Sequence, residues 1–237
     1  MCALAQENGA QLIMGKAVGI TYAEIPEGGK HERAVAAVAY IDADSGESRT
    51  IPASHVIVSA GPWTPTILPQ VPISSMRAHS ITVRPTRPVS AYVLFTEITM
   101  PEPYSAASPE IYARPNNEVY ACSPGDALPL PASTAEVQVD DEVCDVLFKQ
   151  VSSISAELRG GELTARQACY LANVDAGPRG CPIVGEDEKV KGLIIAAGHT
   201  CWGICNAPGT AKVVSELILD GKITCGKFSK LEPRLFI

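Results

Sequence analysis

The sequence predicts a mixed α/β (α+β) fold, and three observations support this prediction. Two apolar runs, "HVIVSAG" and "KGLIIAAG", each end in glycine, which is typical of buried strands that stop at a tight turn. The second run leads into a long amphipathic helical pattern, "APGTAKVVSELILDGK". Between these regions the sequence from Pro72 to Cys122 changes to short β-like runs, which predict a second, antiparallel sheet.

The first 60 residues predict one short helix followed by strands. A helix over Ala3–Asn8 ends at Gly9, and Gln11–Met14 has the composition of a short buried strand. Three further runs together predict a β-meander: Ala17–Ile25, Ala34–Ile41 and His55–Ser59. Gly28-Gly29 and Asp42–Gly46 supply turns between them. The segment "DADSG" lacks the later ligands and the closing glutamate of a calcium loop, so a hairpin turn is the favoured interpretation.

The central region predicts a hairpin, a loop and one helix. The run "EIYARPNNEVYAC" indicates a hairpin that turns at Asn116-Asn117. A stretch rich in proline, serine and alanine, Ser123–Thr134, then predicts a loop. Asp140–Leu158 has helical spacing, and "LRGG" ends that helix. The apolar face of the predicted helix consists of Val143, Val146, Leu147, Val151 and Ile154.

The C-terminal region predicts a strand, a glycine-bearing loop and a helix. The strand ends at Gly198 and the loop His199–Asn206 follows. Pro208 near the first turn and Gly221 just past the end fit the rules for helix boundaries. The predicted apolar face of this helix is Val213, Val214, Leu217 and Ile218. A turn of this kind stabilises negative charge, on a phosphate or on the N1–C2=O edge of a reduced flavin. Alternatively, its glycines only permit tight packing of helix on sheet.

Composition and charge exclude several classes of protein. The 237 residues carry a net charge of −7 without a block of lysine and arginine, which argues against a nucleic-acid partner. No run is long and apolar enough to span a bilayer, so we expect no membrane partner and a soluble, cytoplasmic location. Eight scattered cysteines without a CxxC pair indicate reduced thiols and no metal site.

Three segments, taken in order, resemble one family. "AAGHTCWGICNAPGTAKVVSELILDGK" is similar to the C-terminal flavin loop and helix of the FAD-dependent oxidoreductases of the D-amino-acid oxidase superfamily, which includes glycine oxidase and sarcosine oxidase. "SHVIVSAGPWTPTILPQVPISSMRAHSITVRP" and "RQACYLANVDAGPRGCPIVG" are similar to that family's strand-Ala-Gly-Pro-Trp element and its penultimate strand. The resemblance implies FAD as cofactor and a small amine or amino acid as substrate, oxidised by hydride transfer to the flavin.

The resemblance also implies a division of the chain and a set of cofactor contacts. Residues 1–70 and 165–237 would form a discontinuous, Rossmann-like FAD-binding domain, and residues 71–164 a substrate domain built on an antiparallel sheet. The matching cofactor-binding positions are Val18, Ala60, Gly61, Cys169, Gly198, His199, Trp202, Gly203 and Ile204. No catalytic acid or base is assigned.

Several side chains leave two interpretations open. Cys169 matches the position where some members attach the flavin covalently, yet a buried strand cysteine is the simpler interpretation. Arg84, Tyr112 and Arg166 either bind a substrate carboxylate or serve as structural and surface residues. Cys201 and Cys205 have CxxxC spacing, but the resemblance gives this pair neither a metal nor a redox role.

The sequence departs from the family in one respect. Members begin with a strand and a G-x-G-x-x-G turn that cradles the FAD diphosphate, and no such motif occurs here. We therefore expect an N-terminally truncated, partial Rossmann-like domain that lacks its first βαβ unit and exposes a sheet edge. The alternative function is a non-catalytic remnant that acts only through protein contacts. Substrate identity, electron acceptor and oligomeric state stay open.

Overall fold

The computed structural model describes residues 1–26, 31–102, 104, 106–123 and 125–237. The α-helices are α1 (Cys2–Glu7), α2 (Thr64–Ile67), α3 (Asp141–Ile154), α4 (Ala156–Arg159) and α5 (Gly203–Asp220). The strands are β1 (Gly15–Glu24), β2 (Arg33–Asp42), β3 (Ser48–Pro52), β4 (Val56–Val58), β5 (Ile73–Arg84), β6 (Val93–Phe95), β7 (Glu110–Arg114), β8 (Glu118–Cys122), β9 (Glu162–Val174), β10 (Ile183–Glu186), β11 (Val190–Lys191) and β12 (Leu193–Ala197). The predicted mixed α/β class is confirmed. Across the described ranges, none of these helices combines the length and the apolar character needed to traverse a bilayer.

The chain forms two compact units. The first comprises Met1–Ser74 and Ala172–Ile237, and the second comprises Ser75–Leu171. The first unit is therefore discontinuous in sequence, with the second inserted between its two segments.

The first sheet of the discontinuous unit is a meander. β1, β2 and β3 pair antiparallel in that order, and the short β11 adds parallel to β2. The prediction that His55–Ser59 completes this meander is wrong, because β3 takes the third place and β4 pairs in another sheet. The predicted turn at Asp42 is confirmed, since the Asp42 carboxylate accepts hydrogen bonds from the backbone N–H groups of Asp44 and Ser45. The predicted Gly28-Gly29 turn lies outside the described residues.

Residues 11–14 differ from their predicted conformation. They have no strand structure, and the side chains of Leu12 and Met14 are exposed. A strand is stabilised by hydrogen bonds to a neighbouring strand, and no described strand pairs with this segment. The strand predicted for residues 11–14 from their apolar composition alone is therefore wrong. The preceding helix is confirmed, and Gly9 follows it in a left-handed conformation with φ +91°.

The second sheet of this unit has the order β10-β12-β4. β12 lies at the centre, pairs parallel with β4 and is almost completely buried. β4 lies at the edge, where Val58 is buried but Ile57 is 47% exposed, so its predicted burial is only half correct. α5 packs on this sheet through the predicted face, since Val213 and Val214 join Val184 and Ile194 in one apolar cluster.

α5 begins earlier than predicted. A short 3-10 helix, Thr200–Trp202, leads directly into it at Gly203, so the predicted loop to Asn206 is wrong. Pro208 lies inside the helix and not in its first turn. Because the missing proline N–H removes only a bond close to the N-terminus, the helix tolerates it. Gly221 ends the helix as predicted, with φ +66°.

The second unit consists of a five-stranded sheet and two helices. The strand order is β6-β7-β8-β5-β9, and Asn116 and Asn117 form the predicted hairpin turn with φ 67° and 56°. The apolar face of α3 packs on the sheet through Cys144, Leu147 and Val151. The predicted face is wrong at its end, because Ile154 is 42% exposed.

The predicted Asp140–Leu158 helix is in fact two helices. The chain becomes extended at Ser155, which ends α3 and whose hydroxyl caps α4 by accepting from the Leu158 N–H. Asp140 caps the start of α3, where its carboxylate accepts hydrogen bonds from the N–H groups of Glu142 and Val143.

Candidate functional site

The candidate site lies at the carboxyl ends of two adjacent parallel strands. Val58 of β4 pairs with Ile195 of β12, so the residues that follow each strand emerge at the same end of the sheet. Ala60 and Gly61 follow β4, and the segment from Gly198 to Ile204 follows β12. In open α/β sheets this end is where ligands bind. The structure thus brings together seven of the nine predicted contact residues.

Gly198 and Gly61 differ in how much space surrounds their backbone. Gly198 is buried with φ +83°, and a Cβ there would lie 2.3 Å from Val174 Cγ2. Gly61 has φ +53°, but an added Cβ would meet nothing within 4 Å. Gly198 is therefore required by packing within the fold, whereas Gly61 leaves open space beside its backbone. That space admits a ligand close to the main chain.

His199 joins the loop to α5. Its Nε2 lies 2.9 Å from the Thr210 Oγ1, which is about two turns into α5. Burial lowers the pKa of the His199 imidazole, which favours the neutral ring. The neutral ring is suited to fix the loop, since one nitrogen accepts a hydrogen bond and the other donates one.

Trp202 and Ile204, which follow His199 in the chain, form an exposed rim. Trp202 is 58% exposed and Ile204 is 95% exposed, and Gly203 between them is the first residue of α5. No side chain in the described part of the chain caps α5 by a hydrogen bond at this end. The positive end of the helix dipole therefore lies beside an apolar surface without a side-chain cap.

Thr200 is a further feature of the loop, and no pattern in the sequence predicts it. It has φ +51°, a conformation that a β-branched residue rarely adopts. Such strain costs about 1–3 kcal/mol and persists where the surrounding structure imposes it. The loop geometry is therefore held by its neighbours, in part through the bond between His199 and Thr210.

This arrangement fits the flavin of FAD. A planar ring with an anionic edge needs hydrogen-bond donors, close approach to backbone and an apolar surface, and the loop offers all three. The open space at Gly61 is consistent with such a group, whereas an added Cβ at Gly203 would be in ordinary contact with His199 Cβ at 3.8 Å. Among the described residues, no cluster of three or more histidine, cysteine or acidic side chains could hold a metal ion.

Two predicted contact residues belong to other strands than β4 and β12. Val18 is on β1 in the meander sheet, 46% exposed and next to a register shift between Ala17 and Gly19. Cys169 is on β9 and belongs to the second unit, where it is exposed and not a buried strand cysteine. Partial desolvation raises the pKa of the Cys169 thiol.

The three predicted carboxylate binders already have partners. Arg84 contacts Glu162 at 2.6 Å, and Arg166 contacts Asp145 at 2.5 Å. The hydroxyl of Tyr112 donates a hydrogen bond to Glu110, which raises the pKa of the tyrosine. These contacts favour the structural interpretation for all three side chains.

Comparison with known proteins identifies the relatives of this chain. The model of the family described as FAD dependent oxidoreductase matches residues 1–217. "Putative oxidoreductase TDA3" of Saccharomyces cerevisiae is 43% identical over 184 residues, which cover 77% of this chain and 35% of the yeast protein. The chain thus spans about a third of the length of this relative.

Two solved structures share the fold. Glycine oxidase from Geobacillus kaustophilus has a TM-score of 0.64 at 16% identity, covering 92% of this chain and 51% of that one. Iminodiacetate oxidase from Chelativorans sp. BNC1 has a TM-score of 0.69 at 16% identity, covering 98% and 56%. At this identity the likeness shows the fold alone. The family match over most of the chain shows that this protein belongs to the FAD-dependent oxidoreductases of the D-amino-acid oxidase superfamily, whose cofactor is FAD.

Proposed function

We propose that this chain contributes the flavin cover of an FAD-dependent oxidoreductase that oxidises a small amine or amino acid. The observation that carries the proposal is the uncapped N-terminus of α5, placed at the carboxyl ends of β4 and β12. When bound, FAD supplies the redox chemistry by accepting a hydride from the substrate carbon next to nitrogen.

The residues of the loop would hold the flavin in two ways. The N–H groups at Gly203 and Ile204 would stabilise negative charge on the pyrimidine edge, helped by the dipole of α5. Trp202 and Ile204 would cover the ring and exclude water from it. Ala60 and Gly61 would lie against the ring from the end of β4, and Val18 would contact the adenine end of the cofactor.

The proposal also assigns a separate binding role to each predicted domain. Residues 1–70 and 165–237 would bind FAD, and residues 71–164 would bind the substrate. The amine or amino-acid substrate is supported by the names of the two structural relatives, which are oxidases of glycine and of iminodiacetate. A cytoplasmic location, expected because no run of the sequence is long and apolar enough to span a bilayer, also stays a proposal.

Retention of flavin after gel filtration tests the proposal. The purified chain is mixed with FAD, and we expect visible flavin absorbance to elute with the protein. Gly203→Val adds bulk at the first turn of α5 without a backbone conflict, so we expect it to lose the flavin. Gly209→Val is the matched control in the same helix, because an added Cβ there meets nothing within 4 Å. A colourless wild-type protein, or equal retention by Gly203→Val, would contradict the proposal.

Covalent attachment at Cys169 is the second part of this proposal. Its support is the matching residue type and the exposure of the thiol on β9. A flavin linked to Cys169 stays fluorescent on the protein band of a denaturing gel, and Cys169→Ser removes that fluorescence. Fluorescence that survives in Cys169→Ser, or a band that is dark in the wild type, rejects the attachment and leaves noncovalent binding intact.

A further inference from the structure

One cavity of the discontinuous unit lies outside the candidate flavin site. Its volume is about 370 Å³, which is within the usual range for sites that bind small molecules. None of the nine predicted flavin contacts lines it. Its charged lining residues are the cationic Arg33, Lys189 and Arg234 and the acidic Asp187 and Glu188. We call it the Asp187 cavity.

Asp187 is the lining residue that points to a ligand. It is only 7% exposed yet lines the cavity, so its small accessible part faces the cavity. Its Oδ1 accepts hydrogen bonds from the backbone N–H groups of Lys189 at 2.8 Å and Val190 at 3.0 Å. Within the described ranges, its Oδ2 receives neither a hydrogen bond nor an ion pair. A buried carboxylate is costly unless its charge is compensated, so the cavity has a place for a cationic group.

Arg33 and Lys189 provide the opposite charge. Both side chains are exposed, and neither forms an ion pair with an acidic side chain in the described part of the chain. The guanidinium carbon of Arg33 lies 4.1 Å from the centroid of the Tyr22 ring, so stacking orients the guanidinium plane. A guanidinium held in this way can donate two parallel hydrogen bonds to one carboxylate.

Arg234 and Glu188 already have partners. The Nε of Arg234 lies 2.5 Å from the Oε2 of Glu232 and 3.7 Å from the Oε1 of Glu188. The charges left for a ligand to satisfy are therefore those of Asp187, Arg33 and Lys189.

The charges of Asp187 and Arg33 both lie near Tyr22. Burial is the main cause that raises the pKa of Tyr22, after which the Arg33 charge lowers it and the Asp187 charge raises it. A simple anion in the cavity would be repelled by Asp187, and a simple cation would be repelled by Arg33. A small molecule that carries both charges is attracted by both residues.

From these contacts we propose that the Asp187 cavity binds a free α-amino acid in its zwitterionic form. The ammonium group of the ligand donates a hydrogen bond to Asp187 Oδ2, and its carboxylate accepts hydrogen bonds from Arg33 and Lys189. The ligand is bound here without being oxidised. The inference does not depend on the proposed function, because the cavity shares no residue with the flavin contacts.

Calorimetric titration of the full 237-residue chain, without FAD, tests the proposal. L-Alanine is the probe, and propionate and ethylamine are its controls, because each keeps only one of its two charged groups. We expect one L-alanine to bind per chain and each control to bind at least about tenfold more weakly. Propionate that binds as tightly as L-alanine would overturn the proposal, because the cavity would then be a simple anion site.

Substitutions in the lining test the assigned contacts. Asp187→Asn keeps the Oδ1 acceptor but removes the charge, so we expect the affinity for L-alanine to fall at least about tenfold. Lys189→Gln should also weaken binding, and because Lys189 is exposed this variant tests the cavity even where Asp187→Asn fails to fold. Lys191→Gln is the matched control, since it removes the same charge outside the lining and should leave binding unchanged.

A further variant distinguishes this cavity from the flavin site. Gly203→Val, which we expect to lose the flavin, should bind L-alanine as tightly as the wild type does. Three more results would overturn the proposal. They are undetectable binding of L-alanine, an affinity that neither Asp187→Asn nor Lys189→Gln changes, and loss of binding in Gly203→Val, since the amino acid would then occupy the site of the proposed function.

Discussion

His79 Nε2 accepts a hydrogen bond from the backbone N–H of Asp140, at a distance of 3.0 Å. Asp140 is the N-cap of α3, so this bond ties the start of the helix to β5. His79 is buried, and only an unprotonated nitrogen can accept. Burial, and then the neighbouring Arg77 charge, lower the pKa of His79, against the opposing effect of the Asp126 and Asp140 carboxylates.

The first prediction follows from that bond. A histidine whose pKa is lowered on folding binds fewer protons in the folded state, so stability falls as the pH drops below the ordinary value of 6.5. We expect the free energy of unfolding, measured in urea, to decline from about pH 7 to about pH 5. His79→Gln keeps an acceptor but does not titrate, so its curve should be flatter in this window. Parallel curves would contradict the prediction.

Gly198 is the second position for a test. Gly198→Ala places a methyl group against Val174 and forces alanine into a left-handed conformation. We expect a loss of about 2–4 kcal/mol in the free energy of unfolding. Gly209→Ala, in the exposed part of α5, should be neutral or slightly stabilising. Chemical denaturation of both variants provides the comparison, and an equal effect of the two would refute the argument from packing.

Glu216 provides the third prediction. Its carboxylate accepts hydrogen bonds from the backbone N–H groups of Thr224 at 2.6 Å and Cys225 at 3.0 Å, and Lys212 lies 3.1 Å away. The bond from Thr224 is the largest of the causes that lower the pKa of Glu216 to about 2. The stabilisation is present above the ordinary value of 4.5 and is lost as the pH falls towards 2.

Glu216→Gln tests this prediction directly. The difference in stability between wild type and variant should be largest above pH 4.5 and should shrink as the solution is acidified towards pH 2. Glu7→Gln, an exposed residue of α1, is the control and should change stability little at any pH. A difference that stays constant down to pH 2 would show that the carboxylate charge does not stabilise this turn.

The fourth prediction compares the centre and the edge of one sheet. Ile195 on β12 is fully buried, whereas Ile57 on β4 is 47% exposed. Ile195→Ala should cost about 2–5 kcal/mol, because it removes buried methyl groups and leaves a cavity. Ile57→Ala should cost less than about 1 kcal/mol, since the side chain already contacts water. Thermal or chemical unfolding of the two variants checks the contrast, which similar losses would disprove.

The elements that could be predicted from the sequence are those with a strong local signal. β12 is uniformly apolar, the Asn116-Asn117 turn uses residues that tolerate positive φ, and Gly221 marks the end of α5. The start of α5 was mispredicted because Pro208 is the usual marker of a first turn. In the structure the 3-10 helix Thr200–Trp202 runs directly into α5, so the helix has begun before the proline is reached.

The remaining features depend on contacts between distant residues. The sheet to which β4 belongs is decided by its pairing with β12, more than 130 positions later in the chain. In the candidate site, the loop itself was predicted from its glycines and family resemblance. The strain at Thr200 and the bond between His199 and Thr210 were not predictable, because neither residue type demands that geometry.

The insertion of the second unit has a consequence for how this fold can change. The unit begins on β5 and ends on β9, which are neighbours in its own sheet, and the hydroxyls of Thr82 and Thr164 lie 2.7 Å apart across them. The two ends of the second unit are therefore close together. The entropic cost of joining two such ends depends only weakly on the number of residues between them. We therefore expect that residues can be added or replaced within Ser75–Leu171 while the connectivity of the flanking segments is preserved.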